Sequence, residues 1–111
     1  MSLQIDDNPE EHRYEALLDG ELAGFIQYRL QDGRMTMVHT EVDPAYEGQG
    51  VGSELAKVAL EDARERGLKL VPLCPFIAGY VMRHPDRYLD LVPEPLRGKL
   101  MAGSGHAQPE R

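Results

Sequence analysis

The sequence has a single cysteine, only four histidines and no long apolar run, and each shortage removes a class of protein. Cys74 alone cannot form an internal disulfide, and with so few histidines it does not supply the donor set of a zinc site. No stretch stays apolar over the roughly 20 residues that a bilayer core demands, and no signal-peptide pattern follows Met1. Basic residues are scarce too, 12 against 19 acidic ones, for a net charge of −7. Nucleic-acid backbones and anionic membranes attract basic footprints, so neither is an expected partner. At 111 residues the chain can build one core but not two. The expectation is a single cytoplasmic domain that holds no metal.

What is present is organised around Tyr46-Glu47-Gly48-Gln49-Gly50-Val51-Gly52-Ser53. Glycines at alternate positions let a backbone turn tightly and approach a ligand with no Cβ in the way. A helix starting there aims unpaired N–H groups, backed by the positive end of its dipole, at whatever rests on the loop. Phosphate or pyrophosphate suits such a cradle, although a plain turn before a helix shows the same spacing. Two nucleotide motifs are excluded. Ser53 stands where the dinucleotide fingerprint has its third glycine, and the Gly-Lys-Ser/Thr of a P-loop is missing.

Taken in order, residues 1–12 are polar and acidic and are expected to fray. From Arg13 the pattern alternates as a strand does, with Tyr14, Ala16 and Leu18 on one side. Asp19-Gly20 then predicts a hairpin, Leu22–Leu30 a second strand, and Met35–Val42 a third. Pro44 ends the third strand, since proline has no N–H for a ladder. Val51, Leu55, Val58 and Ala59, widened by Ala56 and Leu60, recur at helical spacing and predict a helix over about Gly50–Arg66. Gly67 stops it. Leu68–Leu73 reads as a fourth strand, parallel to the third because a helix joins them. Phe76–Arg83 reads as a short helix broken by His84-Pro85. Residues 13–93 thus form the folded domain, an α/β (α+β) unit of three antiparallel strands plus one parallel strand. Residues 94–111, rich in proline, glycine and small polar side chains, are expected to form a mobile tail.

This arrangement resembles the GNAT acyl-CoA N-acyltransferases, whose loop pattern is Arg/Gln-x-x-Gly-x-Gly/Ala. Gly50 and Gly52 match its glycines, while Glu47 replaces the usual Arg or Gln. The longer run His39-Thr40-Glu41-Val42, Glu47 to Gly52, Val71-Pro72-Leu73-Cys74-Pro75-Phe76 and Arg83-His84-Pro85 is similar to the compact YjdJ-type branch, which lacks the early helices. The resemblance spans about Tyr14 to Val92. It implies an acetyl-CoA-dependent N-acetyltransferase whose partners are the acyl-CoA and an amine acceptor. Glu47, Gly48, Gln49, Gly50, Val51, Gly52 and Ser53 then hold the pyrophosphate, and backbone groups of Glu41 and Val42 hold the pantetheine. The compact size and Glu47 also fit a different class, a noncatalytic CoA- or acyl-CoA-binding module.

Four side chains carry open alternatives. Cys74 falls at the end of the fourth strand, either as a small buried hydrophobe or as a group beside the thioester. In the second case it serves as covalent acceptor or as proton donor, activated by the short helix behind it. His39, placed with Met37 and Glu41 on one strand face, is either a solvated side chain or a general base, and Glu41 competes for that task. Tyr80 is either core or a cofactor contact near the thiol. Cys74 with His39 also permits a hydrolase dyad, with nothing beyond those two residues behind it.

Overall fold

The computed structural model describes residues 2–106, with side chains as far as residue 100. Among them five strands form one sheet in the order β1-β2-β3-β4-β5, namely Leu3–Asn8, Arg13–Leu18, Glu21–Gln31, Arg34–Val42 and Lys69–Pro72. Neighbours from β1 to β4 are antiparallel, and β5 runs parallel to β4. Helix α1 (Val51–Glu65) makes the crossover, and α2 (Pro75–Arg83), α3 (Pro85–Tyr88) and α4 (Glu94–His106) follow β5. The expected meander, crossover helix, parallel strand and short helix are all present. One strand and one long helix are added to them.

Both hairpins within the meander turn on Asp-Gly. Asp19 and Gly20 take φ of 51° and 85°, and Asp32 and Gly33 take 52° and 75°. Positive φ at both central residues is the turn whose twist matches the flanking strands. Alternation then sends Tyr14, Ala16 and Leu18 to the same face as Ile26 and Tyr28, all buried. Helix α1 covers that face with Val51, Leu55, Ala56, Ala59, Leu60 and Ala63, while Val58 at the stripe's margin is half-buried. The helix closes when Leu68 N–H donates to the Ala63 carbonyl at 2.9 Å and Gly67 N–H to that of Arg64 at 3.1 Å.

Where fraying was expected, Leu3–Asn8 form a strand. β1 pairs with β2 from Leu3↔Leu18 to Asn8↔Arg13, and Leu3 and Ile5 pack against the core. Its acidity serves a clasp. The Tyr28 hydroxyl donates to Asp7 at 2.5 Å and that of Tyr14 to Asp62 on α1 at 2.5 Å. Arg66 lies 3.5 Å from Asp7 and 3.3 Å from Asp62. The carboxy-terminal expectation also changes, because Glu94–His106 is helical. Leu96 and Leu100 pack against the core, and Arg97 donates to the Val92 carbonyl at 2.9 Å. Residues 107–111 of the expected tail lie outside the described residues. Among those described, no helix is long and apolar enough to cross a membrane.

Candidate active site

β4 and β5 part company after a short contact. Their register runs only from Arg34↔Lys69 to Met37↔Pro72. Two local features open the gap. On β5, Pro72 has no N–H for the ladder, and Leu73 N–H turns back to the Val71 carbonyl at 3.1 Å, a tight turn centred on the proline. On β4, the register with β3 jumps from Tyr28↔Met37 to Gln27↔His39, leaving Val38 as an unmatched extra residue. Such a bulge bends its strand. Cys74 N–H donates to the Met37 carbonyl at 3.0 Å as the last backbone link between the two segments.

Beyond that link Val38–Val42 run on with their β5 side open. The direction of their backbone groups follows from the neighbours. Asp43 N–H donates to Ala23 of β3 at 2.8 Å, and the Glu41 carbonyl oxygen sits 2.7 Å from where a Cβ on Gly24 of β3 would be. Alternation therefore turns Glu41 toward β3 and turns the amides of Thr40 and Val42 into the gap. Val42 was expected to offer its backbone there. The backbone of Thr40 shares that side with Val42, and the Glu41 carbonyl faces β3.

The glycine loop closes one end of this crevice. Asp43 caps the 3-10 turn Pro44–Tyr46 by accepting from Ala45 N–H at 2.9 Å. Glu47, Gly48, Gln49 and Gly50 then cross the surface, all exposed. Gly48 and Gly50 adopt φ of 86° and 78°, with open space where a side chain would stand. Gly50 is the N-cap of α1 and no side chain caps the helix. The first closing bond, Glu54 N–H to the Gly50 carbonyl at 3.0 Å, leaves the amides of Val51, Gly52 and Ser53 without intrahelical partners. Gly52 is glycine for another reason. A Cβ there would meet Cζ of Phe76 at 3.0 Å, so the first turns of α1 and α2 touch through that ring.

The side chains separate by face. Cys74 is buried at the N-cap of α2, and its thiol donates to the Thr40 hydroxyl at 3.3 Å across the gap. His39 and Glu41 point the other way. They pair with Gln27 and Phe25 on β3, and His39 Nε2 lies 3.2 Å from Glu41 Oε2, with side chains 52% and 62% exposed. Met37, expected on their face, is fully buried, because the extra residue Val38 reverses the alternation between them. The sheet thus stands between Cys74 and His39, which form no dyad. Tyr80 is buried in a stack with His84 and Tyr88, ring centroids 4.6 Å and 5.8 Å away. Reading the sequence gave no role to Thr40 or to Phe76, which is 38% exposed at the first turn of α2.

Residues 13–91 match the profile of the family described as GCN5-related N-acetyl-transferase. Protein NATD1 of Gallus gallus is 30% identical over 95 residues, covering 79% of this chain and 83% of that protein. Streptothricin acetyltransferase of Streptomyces lavendulae is 43% identical over 51 residues, which are 44% of this chain and only 27% of that enzyme. Among solved structures, a GCN5-like protein from Staphylococcus aureus superposes with a TM-score of 0.61 at 32% identity, covering 84% of this chain and 91% of its own. Parallel strands that separate, an uncapped helix behind a glycine loop, and these matches lead to one conclusion: the chain belongs to the GCN5-related N-acetyltransferase family.

Proposed function

We propose that this protein is an acetyl-CoA-dependent N-acetyltransferase acting on an amine, either of a small metabolite or of a lysine side chain or chain terminus. The observation that carries the reading is the β4–β5 gap, lined by unpaired amides and ending on the uncapped start of α1. These features fit the cofactor. The amides of Val51, Gly52 and Ser53, with the open space over Gly48 and Gly50, suit a pyrophosphate. The backbone of Thr40 and Val42 suits the amides of a pantetheine arm. Acetyl-CoA supplies the acyl thioester, and with it a thiol as leaving group.

The chain's own groups divide the remaining work. The Cys74 thiol, held as a donor toward Thr40, keeps a proton at the gap where a departing sulfur needs one. On the opposite face the His39–Glu41 pair offers a base for the amine. An acidic molecule of net charge −7 favours a cationic acceptor. The test is to incubate the protein with acetyl-CoA and a panel of amines while following free thiol. Amine-dependent release supports the reading. Calorimetric CoA binding without such release supports a noncatalytic acyl-CoA-binding module instead, and neither signal removes both.

A further inference from the structure

Leu73 and Phe76 are exposed apolar side chains, 62% and 38% respectively, on either side of the buried Cys74. In the chain they flank Cys74, whose N–H makes the last backbone link to β4. The Phe76 ring rests on Gly52, with Cζ at 3.0 Å and the two Cε atoms at 3.5 and 3.6 Å from a Cβ built there. One face of the ring therefore packs on the first turn of α1, and the rest is left uncovered. Gly48 and Gly50 have positive φ, whereas at Gly52 the nearest neighbour of an added Cβ is this ring, which would have to give way slightly. The ring thus meets the first turn of α1 two residues after Cys74, whose thiol bonds to Thr40.

We propose that Phe76 is a positioning residue for the acyl-pantetheine arm, its ring on Gly52 forming the wall along which the arm's apolar segment lies. This deepens the acyl-CoA reading above and rests on it. The arm combines amides with a dimethyl-substituted carbon, so it needs polar backbone on one side and an apolar surface on the other. The open edge of β4 supplies the first, and Phe76 with Leu73 the second.

The test is calorimetry on the full chain with two probes, CoA and 3′-phosphoadenosine diphosphate, which keeps the nucleotide and phosphates but has no arm. Phe76→Ala should weaken CoA by about tenfold and leave the nucleotide probe within about twofold, with Phe76→Leu recovering most of the loss. Gly52→Ala should weaken CoA in the wild-type background and much less in the Phe76→Ala background, because the ring it displaces is gone. Thermal melts check that each variant folds. An equal loss on both probes would make the ring a mere prop for the loop, and no loss on either would remove it from the site. A dimer that Phe76→Ala dissociates with CoA affinity intact would also overturn the proposal. Wild-type protein binding neither probe would instead remove the acyl-CoA reading itself.

Discussion

Replacing Gly50 by asparagine or by aspartate isolates the electrostatic part of the proposed phosphate cradle. Gly50 has φ of 78°, a left-handed conformation that costs most L residues roughly 1–2 kcal/mol. Asparagine and aspartate tolerate it best and are nearly the same size, so the two variants share the strain and differ by one negative charge. That charge would sit beside the amides of Val51, Gly52 and Ser53. With about 5 Å between it and a bound phosphate charge, and an effective dielectric constant between about 20 and 80, the repulsion is about 1–3 kcal/mol. Gly50→Asp should therefore bind CoA roughly 5- to 150-fold more weakly than Gly50→Asn. The gap should narrow at about 0.5 M salt, where the screening length falls to a few ångströms. Titration calorimetry at low and high salt measures both effects. Equal affinities of the two folded variants at low salt would refute the assignment of this loop to the pyrophosphate.

Three further outcomes follow from other parts of the molecule. Burial, followed by the hydrogen bond to Asp7, pushes the Tyr28 phenol up to about 12, and burial with Glu61 does the same for Tyr88. Because the folded state keeps protons that the unfolded chain releases near pH 10, this stabilisation is complete below about pH 10 and is lost as pH rises toward about 12. The melting temperature should fall across that window, more shallowly in Tyr28→Phe, and a flat profile would contradict it. Truncation after Pro93 should lower the melting temperature, and Leu96→Ala alone should cost about 1–2 kcal/mol in urea unfolding; an unchanged midpoint would show that α4 contributes no packing. Cys74→Ala should keep CoA affinity and lose about 100-fold or more in turnover, as removal of a positioned proton donor does. Intact mass after brief exposure of the wild type to acetyl-CoA should show no added acetyl, and an adduct or full turnover in the variant would refute the donor role.

Much of the fold is legible from local chemistry. The Asp-Gly turns, the alternation in β2 and β3, the 3.6-residue stripe of α1 and its Gly67 stop each act over a few residues. β1 is not legible in this way. Its partners for Asp7 are Tyr28 and Arg66, far along the chain, so an acidic segment that looks solvated is bonded instead. α4 hides for a related reason: proline and glycine dilute its pattern, while Leu96 and Leu100 find the core. At the site, the loop from Gly48 to Ser53 is visible as a motif. The faces are not. Met37, His39 and Glu41 share one parity in the sequence, and nothing in the residue types announces that Val38 is extra.

That one residue decides which chemistry is available. Without the bulge, His39 would follow Met37 into the core, where an imidazole needs a partner, and Thr40 would face away from Cys74. With it, the thiol and hydroxyl meet on the face that carries α1, and the imidazole and carboxylate meet on the other. A hydrolase needs nucleophile and base in contact, and here a sheet stands between them. Transfer between two substrates makes the opposite demand, since each must reach the reacting centre without blocking the other. Under the proposed reading the acyl donor lies along the α1 face and the amine approaches from the open face. They meet only where β4 and β5 have parted. Under that reading the gap that Val38 and Pro72 create would be the passage between the two halves of the reaction, and direct attack by the amine would need no covalent stop at Cys74.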